Sequence, residues 1–297
     1  MSPRPVSNTQ PNLRQLCPGP AVLKAMPDPP APSPPLWPNA SLDDLLALAE
    51  KKYALEFEPI SVAGVTLHIL QIADMRERLD RLIAQNALDD ALNTLPLWAK
   101  IWPASLLLGH ALRHLPKEGR NFLEIGAGCG ITGLIAAALG FEQVCISDIN
   151  EDALLFARIN ILRNGLQEHA EVRRADLRSD VLGQRFSVIA GSEILYLEQL
   201  YSPLLAFLKR HLAAPAAGQA LPQVLLATDH QRKAESFFTL AEKVFQIEHR
   251  QIGARETAVA PTPDTADAVD AKDDAPHAER HLITMYRLTP LPSKIPV

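Results

Sequence analysis

One stretch of this 297-residue chain constrains its fold more than any other. Phe122-Leu-Glu124-Ile-Gly126-Ala-Gly128-Cys-Gly130-Ile-Thr-Gly includes most of a short apolar run, Asn121–Ile125, and opens an apolar helical segment, Ile131–Leu139. Glycines between a strand and a helix let the backbone approach a ligand with no Cβ in the way. The helix start beyond them offers unsatisfied N–H groups. Gly126, Gly128 and Gly130 are therefore candidate binding residues. Two familiar loops do not fit. The dinucleotide fingerprint G-x-G-x-x-G needs a small residue where Ile131 stands. A P-loop needs Gly-Lys-Ser/Thr, and no lysine occurs between Lys117 and Lys209.

Strand-like and helix-like segments alternate downstream. Strand Gln143–Ser147 leads to helix Glu151–Asn164, then to strands Ala170–Arg174 and Phe186–Ala190. Helix Leu200–Leu212, strand Val224–Thr228 and helix Arg232–Val244 follow. Strands Gln246–Ile252 and His281–Leu288 close the series with no helix between them, which predicts an antiparallel pair. Strands separated by helices imply right-handed crossovers. The expected fold class is α/β, a Rossmann-like doubly wound seven-stranded sheet, mostly parallel with an antiparallel C-terminal edge pair.

Upstream, residues 1–40 hold 12 of the 25 prolines and read as a disordered arm with no signal-peptide core. Order is expected from Ser41, an N-cap followed by Asp43 and Asp44 in the first turn of a helix running to about Tyr53. Glu56–Ser61 and Val65–Ile72 read as a hairpin around Ala63-Gly64, and Met75–Gln85 as a helix. Pro96–Pro103 is a Trp-bearing loop before a helix over Ala104–Leu115. Residues 41–94 would then cover a domain spanning 95–297. Residues 254–280 carry seven acids and no aromatic residue, and read as a disordered insertion.

The net charge of −5 argues against a partner made of phosphate backbone. No uncharged apolar stretch is long enough for a membrane span. Cys17, Cys129 and Cys145 cannot form a disulfide framework and have no metal-ligand spacing. That pattern suits a reducing, cytoplasmic compartment. No metal site is expected, and Cys129 reads as a small residue in a crowded loop rather than an activated thiolate.

Asp148 ends a strand about 20 residues past the loop, where a ribose-binding carboxylate belongs. With that acid in register, the G-x-G-x-G loop preceded by Glu124 resembles motif I of the class I S-adenosylmethionine-dependent methyltransferases. The resemblance implies S-adenosylmethionine as cofactor. Glu124 and the loop would hold its methionine end and Asp148 its ribose, with Ile149 a further cofactor-binding residue. Asp176 and Leu177 would meet the adenine, and Ser192 and Trp102 would complete the site.

After the fourth strand comes Gly191-Ser-Glu193-Ile-Leu-Tyr196, where a nucleic-acid amino-methyltransferase would carry Asn/Asp-Pro-Pro-Tyr/Phe. This Glu-x-x-Tyr resembles the Asp/Glu-x-x-Tyr element of the seven-strand protein-lysine methyltransferases. Trp98-Ala-Lys-Ile-Trp102-Pro and Phe156-Ala-Arg-Ile-Asn160-Ile-Leu-Arg-Asn164-Gly are similar to segments of the same branch, which includes the electron-transfer-flavoprotein β-subunit lysine methyltransferases. The resemblance implies that Glu193 orients a substrate amine and that Tyr196 lines its channel. Trp98 and Trp102, four residues apart, fit core aromatics as well as a role over the cofactor. His230 reads as a surface or core histidine. Transfer to a protein lysine is the leading expectation. A small-molecule amine or other metabolite is the second, and a non-catalytic cofactor-binding scaffold the third. Oligomeric state is not encoded in any pattern of the chain.

Overall fold

The computed structural model describes residues 34–73, 75, 96–255 and 280–291. The arm before residue 34, most of the helix expected over Met75–Gln85 and the acidic stretch at 256–279 lie outside the described residues.

Local chemistry accounts for the first elements. Helix α1 (Leu42–Ala49) starts where Ser41 accepts from the Asp44 N–H, a true N-cap, and ends one turn before Tyr53. Strands β1 (Leu55–Val62) and β2 (Val65–Ile72) pair antiparallel. Their two-residue turn places Ala63 at φ 57° and Gly64 at φ 87°, the left-handed pair that suits the strand twist.

A 3₁₀ turn at Leu97–Ala99 precedes α2 (Pro103–Leu112). The seven-stranded sheet follows: β3 (Asn121–Ile125), β4 (Gln143–Asp148), β5 (Ala170–Arg174), β6 (Val188–Ser192), β7 (Gln223–Asp229), β8 (Phe245–Arg255) and β9 (Arg280–Pro290). Its order is β5-β4-β3-β6-β7-β9-β8. Strands β3 to β7 are parallel, while β9 runs antiparallel to both β7 and β8, so the predicted fold class and edge pair stand. Helices α3 (Ile131–Ala138), α4 (Glu151–Arg163), α5 (Tyr201–His211) and α6 (Glu235–Ala241) flank it.

Both sheet faces are buried, and alternate residues serve alternate faces. Phe122, Val144, Ile146, Val188 and Ala190 pack with α2, α3 and α4. Leu123, Ile125, Ile189, Val224 and Leu226 pack with α5 and α6. Leu45, Leu67, Ile69 and Leu70 join the first of these cores, so α1 and the hairpin share the interior of the sheet.

The packed chain also starts earlier than the expected boundary at Ser41. Leu36 donates its N–H to Val172 O at 2.9 Å, Pro35 bridges Arg173, and Pro38 O accepts from the Arg158 guanidinium. This segment covers the outer edge of β5, which would otherwise expose unpaired backbone groups. Among the described residues no helix is long and apolar enough to cross a membrane.

Candidate active site

The strand order reverses between β3 and β6, and at such a switch point open α/β sheets leave a crevice beyond the strand carboxyl ends. The loop after β3 and the turn after β6 meet there. A Cβ on Gly126 would lie 2.7 Å from Ile194 Cγ2. A Cβ on Gly128 would collide with the Trp98 carbonyl oxygen. Both glycines have positive φ, 57° and 54°, so close approach and backbone conformation together require them.

The loop is held from several sides. Gly128 N–H donates to Asp148 Oδ2 at 2.9 Å, and Cys129 N–H to Trp98 O at 3.0 Å. Asp148 Oδ1 accepts from Asn150 N–H at 2.9 Å. Burial raises the Asp148 pKa above its usual value, and these N–H donors oppose the shift. An ionised carboxylate has about four lone-pair sites, so each oxygen keeps one to offer a ligand. Ile149 lies beside it with 45 % exposure, an apolar side chain left open at the strand end.

Glu124 takes a different place from the one expected. Strand alternation turns it toward α3, where it is 1 % exposed. Its oxygens accept from Thr132 N–H at 3.1 Å and Gly133 N–H at 2.8 Å. The carboxylate, rather than a ligand, satisfies the start of α3, and burial pushes its pKa up to about 7. Asp176, just past β5, is also engaged. Arg178 donates to both of its oxygens, which holds its pKa below the usual carboxylate range. Leu177 is half-buried beside it.

Ser192 ends β6, and Glu193 follows with φ 52°, an unusual backbone for a residue with a side chain. Its side chain bends onto the end of β7. Oε1 accepts from Asp229 N–H at 2.8 Å and Oε2 from Thr228 Oγ1 at 3.1 Å, with Arg232 Nη2 at 3.5 Å. Burial raises its pKa. Glu193 thus braces the turn instead of reaching freely into the crevice. Tyr196 is 58 % exposed among the described residues.

The aromatic pair divides its duties. Trp98 packs edge-on against Tyr53 and Phe156, a core arrangement, while its backbone carbonyl holds the loop. Trp102 caps α2, donates Nε1–H to Leu97 O at 3.2 Å and carries the Lys100 ammonium 4.5 Å from its ring centre. Burial lifts the Cys129 thiol to about 12, so it is no ready nucleophile. His230 contacts the carbonyl of Leu282 through Nδ1 and lies on the surface.

Asn160 lies in the Phe156–Gly165 segment singled out in the sequence, but no role was legible for it there. Its buried side chain donates to Cys129 O and accepts from Leu70 N–H. A polar residue on the wholly buried face of α4 was the available signal.

This sheet order, with a glycine loop at the switch point bonded to an acid closing the next strand, has the architecture of the class I methyltransferases. The chain belongs to the lysine methyltransferase family, whose model matches residues 87–244. It is 32% identical to mouse protein N-lysine methyltransferase METTL21A over 159 residues, covering 50% of this chain and 69% of that protein. It is 27% identical to mouse electron transfer flavoprotein beta subunit lysine methyltransferase over 118 residues, 39% of this chain and 46% of that one. A ribosomal protein L11 methyltransferase of Bacillus licheniformis is 30% identical over 106 residues, 34% of each chain. The match spans 29–45% of the length of the L11 methyltransferases it resembles.

Proposed function

We propose that this protein is an S-adenosylmethionine-dependent methyltransferase acting on a lysine side chain of a protein substrate. One observation carries the reading. The residues matched by the family, 87–244, include the glycine loop, Asp148, Asp176 and the Glu193–Tyr196 turn, all grouped at the carboxyl ends of one sheet.

The residues present fit the cofactor. Asp148 keeps an acceptor on each oxygen for a ribose diol, and Ile149 offers an apolar ledge for a base. Gly126 and Gly128 keep the loop free of side chains. Leu177 follows the end of β5 and Ser192 closes β6, both at the same carboxyl-end side of the sheet. S-adenosylmethionine supplies a methyl group already activated on its sulfonium. The protein therefore mainly has to align a nucleophile, a proximity effect.

A lysine ammonium, with a free pKa of about 10.4, must lose a proton before its nitrogen can attack. A nearby carboxylate would raise that pKa and oppose the loss. Glu193, its oxygens already accepting from β7, is better suited to hold the 193–196 turn, and the proton would leave to water. Exposed Tyr196 would meet the incoming chain, where its ring face can hold a cationic amine. The cytoplasm remains the proposed compartment, since Cys129 and Cys145 are free thiols.

The test is incubation of the purified protein with methyl-labelled S-adenosylmethionine and extract from cells lacking it. Label on lysine of a discrete protein is the expected result. Label confined to the small-molecule fraction would move the activity to a metabolite amine. No labelled product from a protein that binds the cofactor would overturn the enzymatic reading.

A further inference from the structure

Asn160 on α4 and Asn164, the residue that caps its end, lie one turn apart, and both bond β2. Asn160 Oδ1 accepts from Leu70 N–H at 2.7 Å. Asn164 Oδ1 accepts from His68 N–H at 2.8 Å, and its Nδ2 donates back to His68 O at 2.9 Å. Four residues of helix rise about 6 Å. Two residues of strand advance about 6.8 Å. The two amides therefore meet alternate residues of β2 and stand in for a missing neighbouring strand.

The two asparagines differ in one respect. The second Asn164 donation goes to its own helix, at Asn160 O. The Asn160 amide instead reaches Cys129 O, with Nδ2 at 3.1 Å. Its partners are one N–H and one carbonyl, so only one orientation of the amide satisfies both. Cys129 is thereby held at its N–H by Trp98 O and at its carbonyl by Asn160. The flanking residues Gly128 and Gly130, at φ 54° and 85°, must turn if that carbonyl moves. Both glycines are closely surrounded: a Cβ on Gly128 would collide with Trp98 O, and one on Gly130 would press Ala157 and Ile146 at 3.1–3.2 Å.

We propose that Asn160 is a positioning residue that couples the β1–β2 hairpin to the glycine loop, so that hairpin docking and cofactor binding are linked. The inference rests on the reading of that loop as the S-adenosylmethionine site. Linkage is reciprocal: a loop set for the cofactor must also secure the hairpin.

The experiment compares Asn160→Ala with Asn164→Ala in the full chain, using calorimetric titration with S-adenosylhomocysteine and thermal melts. Both variants lose hairpin bonds and should melt earlier. Asn160→Ala should raise the Kd about tenfold or more, a loss of ~1.4 kcal/mol. Asn164→Ala should leave it within about twofold. Equal shifts in the two variants, or an unchanged Kd in Asn160→Ala, would overturn the coupling. Should both variants fail to fold, hydrogen exchange on the wild type decides. S-adenosylhomocysteine should slow exchange at the Leu70 amide by more than at the distant Leu288 amide, whose slowing reads global stabilisation alone. A Leu70 rate slowed no more than that of Leu288 would overturn the proposal. A wild type that binds no S-adenosylhomocysteine would overturn both the cofactor reading and this inference. Normal wild-type binding with an indifferent Asn160→Ala would overturn this inference alone.

Discussion

The Gly128 N–H donates to Oδ2 of Asp148 at 2.9 Å, so the glycine loop and the acid that closes the next strand form one bonded unit. The acid shapes the loop and still presents a lone pair on each oxygen. Asp148→Asn replaces one oxygen by a donor and removes the charge. Calorimetric titration with S-adenosylhomocysteine should show a Kd about 10- to 100-fold higher, since charge-assisted bonds contribute ~1.5–3 kcal/mol. An unchanged Kd would remove Asp148 from the binding site.

Glu124 predicts an unusual slope of stability with pH. Its folded pKa of about 7 lies above the ordinary value of 4.5. Between those values the folded state binds more protons than the unfolded one, so this group lowers stability as pH rises through the window. Glu124→Gln should flatten that component in urea unfolding at pH 5, 6, 7 and 8. It should also cost about 1–2 kcal/mol overall, because Gln cannot accept from both Thr132 and Gly133.

His211 works in the opposite sense. It is 1 % exposed, its Nδ1 is 2.9 Å from Phe207 O, and its Nε2 accepts from Leu182 N–H at 3.0 Å. Burial holds its pKa below 6.5. Its contribution is full above pH 6.5 and declines as pH falls below it, because the unfolded state then binds the extra proton. His211→Asn should be less stable at pH 7.5 yet lose less on acidification than the wild type. The same urea series reads this out, and each variant isolates its own group.

Glu193 and Tyr196 should separate cleanly. Glu193→Ala strands the Asp229 N–H and the Thr228 hydroxyl, so it should cost about 1–3 kcal/mol of stability. A misplaced turn should also lower turnover by roughly 10²-fold. Glu193→Gln, which keeps an acceptor toward Asp229, should be milder in both. Tyr196→Ala should change stability by no more than about 0.5 kcal/mol, as exposed sites do, while raising KM for the protein substrate. A strongly destabilised Tyr196→Ala would contradict its exposure.

What the chain carries locally was legible without coordinates. Strand and helix alternation, the Ala63-Gly64 turn, the Ser41 cap and the antiparallel final pair depend on neighbours in sequence, and all are present. The glycine loop and Asp148 were legible too, because a strand, a turn and the next strand end have fixed spacing in a parallel sheet. Tertiary structure alone decided which way the carboxylates point. Strand alternation turns Glu124 inward to the N–H groups of α3, and a positive φ turns Glu193 onto β7. The same holds for Asn160, whose two partners lie 31 and 90 residues away. A buried polar group must find a partner, but its own sequence neighbourhood does not say which distant backbone group will be there.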